Sequence, residues 1–225
     1  TLGETAGDLL SMTLNVGYAA SSLILIAIFL ATLVGQLTAK SYHPLLYWSV
    51  ILSTSTAGTT MSDYIDRSLG MGYVAGSAML LTLLLIILAV WRANVGTLSV
   101  ANVKSLKVES FYWAAILVSN TLGTALGDFL ADSSGLGFAG GALLIASLIA
   151  LIVLAYFFTS VSRTALFWIA FVLTRPLGAT VGDLLTKPLE KGGLGFGTIG
   201  SSAVLLAVLI VSIIIVSRRK APAAT

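Results

Sequence analysis

Cysteine is absent from the 225-residue chain and histidine occurs once, at His43. The first absence removes disulfides, thiolate metal sites and cysteine nucleophiles, and the second removes any site built on several imidazoles. Charge is scarce too. Asp, Glu, Lys and Arg make up 9% of the residues, against roughly 25% in soluble globular domains, so neither a water-soluble surface nor a polar shell around buried core helices can be assembled. What is present is apolar: 57% of the residues are hydrophobic and the mean hydropathy is +1.02. The pI near 9.3 does not point to nucleic acid, because the basic residues are few and dispersed, as loop charges are.

Runs of about 20 apolar residues, enough to cross a bilayer, occur at Tyr18–Leu37, Tyr73–Trp91, Phe138–Phe158 and Phe196–Val216. Between them a motif recurs: Thr1-Leu-Gly-Glu-Thr-Ala-Gly-Asp8, Thr56-Ala-Gly-Thr-Thr-Met-Ser-Asp63, Thr121-Leu-Gly-Thr-Ala-Leu-Gly-Asp128 and Pro176-Leu-Gly-Ala-Thr-Val-Gly-Asp183. Each copy is followed by a Gly-aromatic pair that opens an apolar run: Gly17-Tyr18, Gly72-Tyr73, Gly137-Phe138 and Gly195-Phe196. The Asp-to-Gly separation is 9, 9, 9 and 12, which places an insertion around Lys187–Gly192 in the fourth copy. Trp48, Trp113 and Trp168 each stand 15 residues before their Asp. The repeating unit is therefore an aromatic-started helix ending in the Gly/Asp motif, a short connection, and a uniformly apolar helix. The copies span residues 1–40, 41–92, 108–160 and 164–217, within one transmembrane domain that ends in a tail at 218–225. Thr1 already stands inside the motif, so an eighth helix upstream is expected, with an aromatic residue about seven positions before Thr1 by the 15-residue spacing.

On these residues, the three tryptophans and the four Gly/Asp motifs, the chain resembles a family of bacterial inner-membrane proteins built from four tandem two-helix repeats of unknown function, each with a characteristic tryptophan. The resemblance covers essentially the whole chain. It departs from the pattern in the missing upstream half of copy one and in Arg175-Pro176 of copy four. It implies an all-α polytopic bundle and a location in the bacterial inner membrane, and it implies no activity.

Eight of the twelve basic residues fall between copies or at the C-terminus: Lys40, Arg92, Lys104, Lys107, Arg163, Arg218, Arg219 and Lys220. The positive-inside rule places these loops and the C-terminus in the cytoplasm and the links after each Asp outside. Each unit crosses twice, so the copies are parallel repeats about an axis along the membrane normal, with seven crossings expected in this chain. Trp48, Trp113 and Trp168 are expected as anchors at the cytoplasmic interface. At 1.5 Å per residue the carboxylate then lies roughly 22 Å away, near the outer boundary of a roughly 30 Å core.

Only about half of each first helix is lipid-like, so it cannot face lipid all round. Steps of four residues give a polar stripe: Ser55, Thr59, Asp63; Asn120, Thr124, Asp128; Arg175, Ala179, Asp183; and Glu4, Asp8. A pseudo-fourfold bundle turns these stripes to one centre, and Gly3, Gly58, Gly123 and Gly178 let the backbones approach. Glu4, Asp8, Asp63, Asp128 and Asp183 then face one intramembrane cation, Arg175, and cannot all stay ionised without protons, a bound cation, Arg175 or outside water. Oxygen ligands with Thr59, Thr124 and Asn120 beside them suit H⁺, Na⁺ or a hard divalent ion. Two readings of the aspartates stay open: an ion site, or caps on the helix that follows. Arg175 is expected to pair with Glu4, leaving Asp63 and Asp128 as the freer, cation-facing half.

The function expected from the residues is a transporter or channel-like conduit for a small cation or a cation-coupled solute. The alternative is a non-transporting scaffold or lipid-contacting protein. An intramembrane aspartyl hydrolase fits four symmetric copies poorly, so no enzyme is expected. A retinal pump would need a lysine inside Phe196–Val216, which has none. No cofactor is expected, and the lipid bilayer and a small cation are the expected partners.

Overall fold

The structure is a computed structural model that describes residues 1–39, 41, 43–100 and 105–220, with side chains up to 216. Lys40, Lys104, the side chains of Arg218, Arg219 and Lys220, and residues 221–225 of the tail lie outside the described residues. The described residues form eight α-helices: α1 (Leu2–Asp8), α2 (Tyr18–Thr38), α3 (Pro44–Asp63), α4 (Gly72–Val95), α5 (Leu106–Asp128), α6 (Gly137–Phe158), α7 (Arg163–Thr186) and α8 (Thr198–Lys220). No strand occurs among the described residues.

Local sequence explains where these helices start. Pro44 occupies the first turn of α3, where its missing N–H costs nothing. The hydroxyls of Ser105 and Ser162 cap α5 and α7 by accepting from the Val108 and Ala165 amides. In the Gly-aromatic pairs the glycines have φ of 82° (Gly17), 73° (Gly72), 67° (Gly137) and 70° (Gly195), so a side chain there would be strained. Gly197 also has a positive φ of 72°, which delays α8 to Thr198, two residues past the start that the apolar run indicates.

The first helices do not stop at their aspartates. In copies one to three the chain continues through a π-helical turn, at Leu9–Thr13, Tyr64–Ser68 and Phe129–Ser133. Each turn is closed by an i→i−5 bond: Leu14 to Leu9, Leu69 to Tyr64 and Ser134 to Phe129, at 2.8–3.0 Å. Copy four instead ends α7 at Thr186 and inserts a 3-10 turn, Leu189–Lys191. The return is nevertheless closed at the same carbonyl, two residues after the motif Asp: Val16 to Leu10, Met71 to Ile65 and, past the insertion, Phe196 to Leu185.

α1, α3, α5 and α7 form a closed inner ring in which each helix packs on the next and α7 returns to α1. The apolar helices lie outside, and each packs along the first helix of the following copy: α2 on α3, α4 on α5, α6 on α7 and α8 on α1. Copies are thus woven together, so that no two-helix unit buries its own faces alone. The outer helices leave rows of large apolar side chains uncovered, among them Leu23, Val74, Leu143 and Val204, a surface that only lipid can solvate.

Among the described residues six helices are long and apolar enough to span a membrane: α2, α4, α5, α6, α7 and α8. The seventh expected crossing, α3, does not qualify by composition, because its half from Ser53 to Asp63 carries hydroxyls in place of aliphatics and is buried in the ring. Two of the three tryptophans expected as interface anchors are buried within the protein. Trp48 is 37% exposed, but Trp113 and Trp168 are 2% and 6% exposed. Trp113 packs with Phe29, Val50 and Ile116. Trp168 meets Trp91 edge-on and donates to the Leu98 carbonyl at 3.0 Å. The woven packing brings the preceding copy's outer helix over these rings, which spacing along one helix cannot reveal.

Candidate functional site

The polar stripes converge where the four inner helices meet, and glycine makes the approach close. A Cβ added at Gly58 would lie 2.7 Å from Asn120 Cβ, and one at Gly178 would lie 2.7 Å from the Thr1 nitrogen. At Gly3 it would collide with Ser55, and at Gly123 with Arg175. The four glycines thus each face the next copy around the ring. Gly7, Gly127 and Gly182 repeat the pattern one turn on, against Thr59, Ala179 and Glu4. The same order of contacts along each pair of helices means that the inner helices run parallel.

Glu4 stands in the middle. It is 6% exposed, and its Oε2 accepts from Thr59 Oγ1 at 2.9 Å and Thr124 Oγ1 at 2.8 Å. Its Cβ lies against Gly182, so this one side chain touches all three other copies. The two threonines occupy its own place in copies two and three, and Ala179 leaves space for it in copy four.

One turn outward lie Asp8, Asp63, Asp128 and Asp183, each 2–4% exposed. Two cations bridge them in pairs. Arg67 places Nε 2.9 Å from Asp63 Oδ1 and Nη2 2.9 Å from Asp128 Oδ2. Lys187 Nζ lies 2.7 Å from Asp8 Oδ2 and 3.0 Å from Asp183 Oδ1. Copies two and four supply the cations, each four residues after its own Asp, and each bridge crosses to the next copy. The ring is therefore twofold in charge while fourfold in backbone. The contact on Asp63 lacks hydrogen-bond alignment, so both Asp63 oxygens, although buried, accept no hydrogen bond among the described residues. Among the described residues no side-chain hydrogen bond caps the start of α2, α4 or α6, where the π-helical turn carries the chain past the point at which a carboxylate would meet a free helix start.

The pairing expected between Arg175 and Glu4 is overturned. Among the described residues Arg175 joins no ion pair. Its guanidinium stacks on Phe171 at 4.2 Å, and its buried Nε finds no partner. Its backbone is pressed against Gly123, and the two charges instead share a polar cavity of about 40 Å³ with Thr59, Thr124, Asn120, Ser55 and Thr174, room for about three waters. Nor are Asp63 and Asp128 the freer half, since they share Arg67. Asn120 donates to Thr54 at 3.4 Å, and its buried Oδ1 has no partner.

One carboxylate oxygen from each of Glu4, Asp128 and Asp183 lies within 4.8 Å of the other two. Such a cluster can hold a hard cation or share protons. Sequence reasoning missed Arg67 and Lys187 as members of the site. The available signal was a basic residue four positions after the motif Asp in two of four copies, with Met12 and Asp132 at that position in the others. It also passed over Asp66, 5% exposed, whose carboxylate fits against Gly76 and accepts from Ser62 at 3.3 Å.

These features define a multi-pass, all-helical membrane protein of four parallel two-helix repeats around a buried polar axis. The family described as Repeat of Unknown Function (DUF347) matches residues 1–42, 46–97, 111–162 and 166–221, and the chain belongs to it. No curated protein and no solved structure shows significant similarity to the chain.

Proposed function

We propose that the polar axis carries a small cation, or a solute coupled to one, across the membrane. The observation that carries this reading is the cluster of Glu4, Asp128 and Asp183, contiguous through Glu4 with a polar cavity. Five carboxylates meet here, against Arg67, Lys187 and, in the cavity beside Glu4, Arg175. Buried charge in such excess draws in a counter-cation or protons. The basic residues between copies favour cytoplasmic loops and a cytoplasmic C-terminus, in a bacterial inner membrane.

The test is flux into proteoliposomes, measured for H⁺, Na⁺ and divalent ions with wild type and Glu4→Gln. Flux that falls at least tenfold in a variant expressed at the wild-type level supports the reading. Flat traces for every cation with folded protein remove it. They would leave the scaffold reading, which one observation favours: Arg67 and Lys187 each tie two neighbouring copies together.

A further inference from the structure

Resting on that reading, we infer that the axis holds one divalent, oxygen-liganded cation between Glu4, Asp128 and Asp183, with Arg67 and Lys187 as positioning residues that orient two of its ligands. The three residues come from copies one, three and four, so the site is a property of the closed ring and of no single repeat.

The geometry bounds the size of the site. Three oxygens no more than 4.8 Å apart define a triangle whose centre is at most about 2.8 Å from each, compact enough for one oxygen-liganded divalent ion, which Ca²⁺ meets at 2.3–2.6 Å and Mg²⁺ at 2.0–2.1 Å.

Each ligand is already held by a second partner. Thr59 and Thr124 donate to Glu4 Oε2, Arg67 Nη2 to Asp128 Oδ2, and Lys187 contacts Asp183 Oδ1. Outer partners of this kind fix the direction of a metal ligand and leave a lone pair for the ion.

Charge sets the valence. Asp63 and Asp128 share one cation, Asp8 and Asp183 share another, and Glu4 has none. Each aspartate pair keeps one net negative charge, and Arg175, which shares the cavity with Glu4, offsets the third, so the centre carries two. A divalent ion offsets both, whereas Na⁺ would leave one unmatched in a buried site.

Two further buried groups point to a cationic occupant. Asn120, 5% exposed, lines the cavity beside Glu4, Thr59 and Thr124, and its amide oxygen has no partner. Asp63, 2% exposed and across Arg67 from Asp128, has two oxygens without a hydrogen bond. Asn120 Oδ1 is unpartnered among the described residues and Asp63 Oδ1 is held only by its ion pair with Arg67; both are hard acceptors, the kind of group a water-bearing divalent ion satisfies.

The experiment is calorimetric titration of the purified chelator-stripped protein in detergent with CaCl₂, then MgCl₂, MnCl₂ and NaCl, alongside thermal unfolding at each salt. One saturable divalent-cation site is expected, with Ca²⁺ as the first probe and a midpoint that climbs with the concentration of the bound ion. Glu4→Gln, which keeps an acceptor for both threonines, should weaken Ca²⁺ at least tenfold, and Asp183→Asn should do the same. Thr124→Val, altering only the support of Glu4, should weaken it by a smaller factor. Absence of any divalent-dependent shift in wild type at millimolar salt overturns the site, whether or not the variants fold. So does saturable binding of Na⁺ alone, or equal Ca²⁺ affinity in Glu4→Gln. Binding without flux removes the transport reading and keeps the site. Flux that survives both Glu4→Gln and Asp183→Asn removes the site and keeps the transport reading.

Discussion

Arg67 and Lys187 do the same thing by different means. Each bridges its own motif Asp, four residues earlier, to the Asp of the next copy. Arg67 sits within a π-helical turn, whereas Lys187 follows the end of α7 with extended backbone (φ −69°, ψ 151°). Arginine offers two nitrogens in a rigid fork, one for each carboxylate. Lysine offers a single ammonium on a flexible stem that both carboxylates must share. The fourth-copy insertion accompanies the second solution: where the helix stops, extra residues return the chain to the same closing carbonyl. What the ring constrains is a positive charge one turn beyond the Asp in alternate copies, and the backbone around it is free to vary.

Removing either cation is the severest way to break this equivalence. Arg67→Ala and Lys187→Ala each leave two buried carboxylates sharing nothing, which costs about 3 kcal/mol, the low end for broken buried pairs because the two side chains are partly exposed. Thermal unfolding in detergent should show both variants strongly and similarly destabilised. A loss confined to one of them would mean that the bridges are not equivalent.

A smaller loss is expected where the ring closes on glycine. Gly58→Ala would bring a methyl to 2.7 Å from Asn120 Cβ and 2.9 Å from the Thr121 backbone nitrogen, an overpacking of about 1–3 kcal/mol. The unfolding midpoint should fall, and an unchanged midpoint would mean that the helices spread without penalty.

Exchange of the two bridging residues tests geometry at constant charge. Arg67→Lys gives up one of two aligned contacts and should lose about 1 kcal/mol in chemical denaturation, while Lys187→Arg should lose less, because a fork can span the same two oxygens. Equal losses would show that only the charge matters.

The mildest expectation concerns the outer ring. Gly200 on α8 has open space around its missing side chain, so Gly200→Ala should raise stability by up to about 1 kcal/mol through helix propensity. A decrease would indicate that something packs on that face.

Composition and spacing alone identified the membrane class, the four copies and the all-helical architecture. Apolar runs and repeat periods are local properties that survive without knowledge of neighbours. The stripe Glu4, Thr59, Thr124 was likewise visible, because the 3.6-residue period of a helix fixes which residues share a face. The ion pairs were not legible. Arg67 and Lys187 read as loop charges outside the core, because neither the π-helical turn that extends the helix past Asp63 nor the extended backbone after α7 shows in the sequence which carboxylates it brings the cation to. Arg175 looked like the natural partner of Glu4 by depth, yet the approach of Gly123 to its backbone sets where its side chain can go, and that side chain rests on Phe171.

Sequence determined which residues are polar inside an apolar chain and at what spacing they recur, since both follow from the solvent each segment must meet. Which carboxylate meets which cation was decided only by the tertiary structure. Ring closure, the crossing of each outer helix to the next copy and the turn geometry after each Asp fix contacts such as that of Lys187 with Asp8, 179 positions apart.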